Sequence, residues 1–210
     1  MKEFIPLLII ILSMIVSACA VQTPTEQPPY ETPEPTTPTT AVPTVPLTTL
    51  QTAEVIIQAI AEKDMTSVAN FVHPGRGLRF SPYATIRDDH LVFKPADLTG
   101  LFDSEEVLIW GNYDGSGDPI TLTFAEYYDE FVYTADFANP ETVALNMRIG
   151  QGNTLNNIRD FYPDSDFVEY HFSGFEEQYD GMDWQSLRLV FVEEDGVPYL
   201  VAIVHDQWTI

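Results

Sequence analysis

The sequence predicts an α+β domain in which N-terminal helices pack on a mainly antiparallel sheet, and three observations carry that reading. Apolar residues near position 50 recur at helical spacing, three β-rich runs close the chain, and 45% of the 210 residues are hydrophobic, enough for a core. The chain carries 32 acids against 9 Lys and Arg, a formal net charge of -23. That charge repels phosphate backbones and anionic headgroups, so nucleic acid is excluded as a partner.

An apolar run from Phe4 to Val16 follows Lys2 and ends in Ser17 and Ala18 before Cys19. It is shorter than the ~20 residues that span a bilayer, and residues 1–18 read as a signal peptide. The segment Val16-Ser17-Ala18-Cys19 resembles the lipobox of bacterial lipoproteins. The resemblance implies lipidation of Cys19, cleavage before it, and attachment to a membrane on its extracytoplasmic, cell-envelope side. The alternative is an ordinary secreted protein cleaved after Ala18 or Ala20. Cys19 is the only cysteine, so a mature domain beyond it has no disulfide and no thiol nucleophile.

Residues 19–49 read as the lipidated cysteine and a stalk. From Gln22 to Thr49 there are 8 Pro and 10 Thr in 28 positions, a composition that cannot form a core. Extended as polyproline II, the segment would span on the order of 80 to 90 Å.

Residues 50–210 read as a single acidic domain, with 28 acids against 8 Lys and Arg. Thr48 and Gln51 form a capping box, and Ala53, Ile56, Ile57 and Ile60 give the helix 49–63 one apolar face. Asp64 caps a second helix, Met65 to Val72, which His73-Pro74-Gly75 ends. Segments 77–83 and 90–94 read as strands, Pro95 opens a short helix to about Phe102, and Val107 to Tyr113 is β-rich. Thr123 and Glu126 cap a helix through Tyr133, residues 135–153 are irregular, and 154–161 hold a turn or two of helix. Phe167–Ser173, Trp184–Glu194 and Val197–Gln207 form an antiparallel meander, the last two joined at Glu194-Asp195-Gly196. Strand alternation puts Tyr199, Val201, Ile203, His205 and Gln207 on one face of the last strand, and Leu200, Ala202, Val204, Asp206 and Trp208 on the other. Both faces are apolar until the strand end, so both are expected to be covered.

Two N-terminal helices in the pattern LxxAxxIIxAIxxKDMxxVxxFVHP, mixed elements and a closing meander resemble the NTF2-like (SnoaL-like) cone. The resemblance implies a curved sheet with a pocket between sheet and helices, often paired into a homodimer. The closing block from Gly181 to Trp208 also looks like the end of uncharacterised bacterial extracytoplasmic proteins.

There is no HExxH, P-loop, GxSxG or zinc spacing, and Gly150-Gln151-Gly152 lacks the third glycine of a dinucleotide site, so no cofactor is expected. The catalytic candidates are His205, His171 and Arg188: histidines for proton transfer near neutral pH, and an arginine that could clamp a carboxylate. For each the plainer expectation is an internally bonded residue, with Arg188 paired to an Asp or Glu. Trp110, Tyr113, Trp184, Tyr199 and Trp208 are the aromatic candidates for ligand binding, set against ordinary core and rim. Asn112, Asp114, Ser116 and Asp118 alternate like a calcium loop, but position twelve is Thr123 where a Glu is required, so no metal is expected.

The function read from these features is a membrane-anchored extracytoplasmic lipoprotein acting as a non-catalytic module for a small ligand or an envelope component. The alternatives are an NTF2-like dehydratase, isomerase or hydrolase, and an envelope scaffold that dimerises through its sheet.

Overall fold

The computed structural model describes residues 46–209. The expected signal peptide, the expected lipidation site Cys19 and nearly all of the expected stalk lie outside the described residues.

Helix α1 (Thr49–Ala61) starts at the expected capping box: Thr48 accepts from the Gln51 N–H at 3.3 Å and Gln51 accepts from the Thr48 N–H at 3.0 Å. Helix α2 (Met65–Ala69) is shorter than the pattern suggested. Val72 leaves it to pair with Leu200, whose N–H donates to Phe71 O at 2.8 Å while His73 N–H donates to Leu200 O at 3.0 Å. Strands β1 (Leu78–Ser81) and β2 (Val92–Phe93), the short α3 (Pro95–Leu98) and a 3-10 turn (Leu101–Asp103) follow. Strands β3 (Leu108–Asn112) and β4 (Pro119–Leu122) make a separate hairpin, then comes α4 (Phe124–Phe131), again opened by its Thr123–Glu126 capping box. Strand β5 (Thr142–Leu145), α5 (Ile158–Phe161), β6 (Ser165–Phe172), β7 (Gln185–Glu194) and β8 (Val197–Gln207) complete the order. Strand β5 occupies a stretch expected to be irregular, and β4 one for which no element was expected; each has four residues, too few to carry a period.

The main sheet has six strands in the order β2-β1-β8-β7-β6-β5, antiparallel except where β1 runs parallel to β8. Among the described residues no helix is long and apolar enough to cross a membrane.

The two faces of this sheet are built differently. One, under α1, α2 and α4, is an apolar core joining Ile56, Ile60, Leu78, Leu187 and Ile203 to a group of aromatic rings. Phe80 meets Phe93, Trp110, Phe124 and Tyr127 edge-on at 5.7 to 6.0 Å, and Trp110 stacks on Tyr127 at 4.0 Å. The other, under α5, has a smaller core of Ile86, Ile158, Phe167, Val190 and Val204.

Simple alternation fails at one place on β8. Val190 pairs with Ala202 and Phe191 with Leu200, which leaves Val201 as an extra residue in a bulge. Leu200 therefore joins Ile203 in the helix-side core, while Val201 joins Ala202 and Val204 on the opposite face. The expectation that Leu200 shares a face with Ala202 and Val204 is corrected by that one residue.

Candidate functional site

Strand pairing brings charged residues together on the face under α5. Glu169 on β6 stands opposite Arg188 on β7, which stands opposite Val204, two residues before Asp206. Arg188 and Glu169 have no exposed side-chain surface, and Asp206 almost none. The guanidinium grips Glu169 in a two-point fork, Nε to Oε2 at 2.9 Å and Nη2 to Oε1 at 3.0 Å. Its Nη1 donates to Asp206 Oδ2 at 2.7 Å and its Nη2 also donates to Gly150 O at 3.1 Å.

Glu169 in turn accepts the backbone N–H of Ile149 at 3.1 Å and of Gly150 at 2.8 Å, and the Ser186 hydroxyl at 2.7 Å. Burial alone would raise the Glu169 pKa, but the Arg188 charge and these donors outweigh it, and the carboxyl is held below its usual range. Asp206 goes the other way. Burial raises its pKa beyond what Arg188 restores, and its Oδ1 is buried without a partner. The cluster fastens the segment around residues 148–154 to the sheet. Arg148 adds bonds to Gly150 O at 2.9 Å and Thr154 O at 3.3 Å. A β-carbon at Gly150 would lie 2.4 Å from Trp184 Cζ3 and 2.5 Å from Ser186 Oγ, so only glycine fits.

His171 lies on this face, its Nδ1 2.8 Å from Ser186 Oγ and its ring 6.0 Å from Trp184. Because Ser186 donates to Glu169, its oxygen accepts from His171. Burial lowers the His171 pKa, with Glu169 and Glu141 opposing. His205 lies on the other face, fully buried and edge-on to Phe131 at 6.0 Å. Its Nδ1 sits 3.2 Å from Pro82 O, a carbonyl that can only accept, and its Nε2 is 3.3 Å from Thr134 Oγ1. Burial pushes its pKa down to about 4, against the Pro82 bond. His205, His171 and Arg188 thus converge on no common cavity.

The aromatic candidates also separate. Trp110 is core, its indole N–H donating to Leu122 O at 2.9 Å. Trp184 covers Gly150 and His171, Tyr199 packs on His73 at 5.5 Å, and Trp208 is 45% exposed. Tyr113 lines a cleft.

That cleft, about 300 Å³, lies where the β3–β4 turn meets the segment after β1. Its walls include Tyr83, His90, Asn112, Tyr113, Asp114 and Thr154. Tyr83 and Tyr113 both pack on Phe131, at 5.7 and 6.1 Å. His90 is 4% exposed, and Gly111, at φ +136°, leaves room for its ring: a β-carbon there would be 3.3 Å from His90 Nε2. Burial pushes the His90 pKa down to about 4, so the ring is neutral near pH 7. Burial raises the Tyr83 pKa, and the Asp114 and Glu130 charges add to it; Tyr113 is raised likewise by burial and by its bond to Glu130. Both phenols stay protonated.

The calcium-like residues are engaged locally. Asn112 Nδ2 donates to Gly117 O at 2.9 Å, Ser116 Oγ accepts from Asp118 N–H at 3.2 Å, and Asp114 Oδ2 accepts the Thr154 and Thr209 hydroxyls. Among the described residues no group of three or more His, Cys, Asp or Glu is placed to hold a metal ion.

Sequence reasoning missed Tyr83 and His90, which share the loop between β1 and β2, and Thr154, which comes from the distant segment before α5; none stands at a spacing that marks a site. It could have found Glu169, since Glu169, Arg188 and Asp206 are charges inside otherwise apolar strands at positions that pairing aligns. No family model matches the chain, and no curated protein matches it.

Proposed function

We propose that the protein is a bacterial lipoprotein, anchored through Cys19 on the extracytoplasmic side of a membrane, that presents an NTF2-like domain as a non-catalytic module binding a small ligand. The observation that carries the binding reading is the contrast between the two polar regions. The buried cluster around Arg188 is bonded internally and packed shut, while the cleft beside Tyr113 is open and offers aromatic surface with hydroxyl, amide, imidazole and carboxylate groups. The NTF2-like reading is supported by two N-terminal helices against a mainly antiparallel sheet that ends in the β6–β8 meander. The anchoring reading is supported by Val16-Ser17-Ala18-Cys19 after a short apolar run.

The test uses the full chain expressed in a bacterial host. Wild type is expected in the detergent phase of a phase-separation assay and Cys19→Ala in the aqueous phase; partition of wild type into water would overturn the anchor. A thermal-shift panel of sugars, amines, carboxylates, peptides and metal ions is expected to yield a stabilising ligand whose effect Tyr113→Ala removes. A panel without any shift, together with a turnover that depends on His171 or His205, would overturn the binding reading.

A further inference from the structure

We propose that the cleft between Tyr83 and Tyr113 takes an uncharged polyhydroxylated ligand, one or two sugar rings in size, a proposal that rests on the binding reading above and gives it a ligand class. The charged groups in the walls, Arg87 and Asp114, are of both signs, and each already has hydrogen-bond partners within the protein. Arg87 Nε donates to Asp89 Oδ1 at 3.0 Å. Asp114 Oδ1 accepts the Gly115 N–H at 3.2 Å, and its Oδ2 accepts Thr154 Oγ1 at 3.3 Å and the Thr209 hydroxyl. An anion would be repelled by a domain with 28 acids against 8 Lys and Arg. A neutral ligand avoids that penalty, and the choline comparator below decides between it and a cation.

The hydrogen-bonding groups of the wall match hydroxyls. A sugar hydroxyl both donates and accepts, so it needs a wall with both kinds of group. Acceptors are present in the Asp114 carboxylate, whose oxygens have further lone pairs, and in Asn112 Oδ1, since Asn112 uses its Nδ2 on Gly117 O at 2.9 Å. Donors are the Tyr83 hydroxyl and the His90 imidazole. His90 Nδ1 accepts the Arg87 backbone N–H at 3.3 Å, which puts the ring proton on Nε2.

The shape of the cleft also suits a sugar ring. The two tyrosine rings supply the amphipathic surface on which the C–H face of a pyranose packs, and about 300 Å³ lies at the small end of ligand cavities. The wall is held before any ligand arrives. Tyr83 and Tyr113 rest on Phe131, and Thr154 belongs to the segment that Arg148 fastens through Gly150 O and Thr154 O.

The test is saturation-transfer NMR and titration of the full-length protein in detergent micelles, with methyl β-glucoside, methyl β-N-acetylglucosaminide, cellobiose and maltose as probes, and choline and acetate as charged comparators. At least one sugar probe is expected to bind at millimolar concentration or better. Tyr83→Phe, which removes one hydroxyl, and Asn112→Asp, which keeps the acceptor oxygen at Oδ1 but adds charge, bracket the site. The first is expected to weaken binding about tenfold, and Asn112→Ala, with its fold checked by circular dichroism because it also removes the bond to Gly117 O, is expected to weaken it by a similar factor. Binding should be unchanged between low and high salt, and between about pH 5.5 and about pH 8.5, because His90 and both tyrosines keep one protonation state there. Choline or acetate binding with the same sensitivity to substitution, in place of the sugars, would overturn the ligand class and leave the binding reading standing. Sugar binding indifferent to both Tyr83→Phe and Asn112→Ala would overturn the cleft as the site. No binding by any probe would overturn the proposal, and the thermal-shift panel decides separately whether the binding reading falls with it.

Discussion

The two faces of the main sheet reach similar burial by opposite means. Under α4, aromatic rings meet edge-on around Phe80, and the contacts are non-directional enough to tolerate a related shape. Under α5, Arg188, Glu169 and Asp206 are buried as charges, and each depends on a partner in a fixed geometry. The difference teaches where this fold is adaptable and where it is not. The charged face also does something the aromatic face does not: it holds a loop, through the Ile149 and Gly150 N–H groups, that continues into a wall of the cleft.

Substitutions that keep size but change geometry separate the faces most strongly. Arg188→Met is expected to cost about 3–5 kcal/mol in urea unfolding, because it leaves two carboxylates buried without their cation. Phe80→Ala should cost about as much, through the cavity it opens. The conservative changes then diverge. Phe80→Leu should recover most of the loss, whereas Arg188→Lys should recover little, since an ammonium cannot supply the two-point fork on Glu169 and still reach Asp206 and Gly150. Equal recovery on both faces would remove the distinction.

Acid exposes a different weakness, in the buried histidines, and His205 on the helix-side face shows it most plainly. The His205 pKa is about 4 in the folded chain against an ordinary 6.5. Above pH 6.5 both states are neutral and the group makes no difference. Between 6.5 and about 4 the unfolded chain takes up a proton that the folded chain refuses, so stability falls with pH, by on the order of 3 kcal/mol when complete. His90 contributes in the same window and with the same sign. Unfolding midpoints across this range should show the loss in wild type and a shallower slope in His205→Gln; identical slopes would contradict the assignment.

Smaller effects sharpen the comparison. Gly150→Ala should cost about 1–3 kcal/mol, because the new methyl group meets Trp184 and Ser186, and Trp184 fluorescence should report the displacement. Thr123→Ala, which removes the N-cap of α4, should cost about 1 kcal/mol and leave that fluorescence unchanged.

Most of the elements were legible where a period or a cap was long enough to read. The α1 and α4 capping boxes stand where Thr-x-x-Gln and Thr-x-x-Glu placed them, and the β7–β8 hairpin turns at Asp195-Gly196. Strands β4 and β5 were not legible, because four residues under Pro119 or beside exposed Val143 carry no period. The bulge at Val201 was hidden for another reason: alternation counts residues and cannot see an unpaired one. The Arg188 partnership with an acid was readable in kind, and its double character was not, since it depends on which residues three strands bring level. The cleft was least legible, because Tyr83, His90, Tyr113 and Thr154 meet only through tertiary packing.

The buried charges act as a clamp on the loop at Ile149 and Gly150. Residue-resolved amide hydrogen exchange of wild type and Arg188→Met tests this clamp most directly. Slow exchange is expected at Ile149 and Gly150 in wild type, with a loss of that protection in the variant that exceeds any change in α1 or β1. Fast, loop-like exchange at both amides in wild type, or protection that survives removal of the guanidinium, would contradict it.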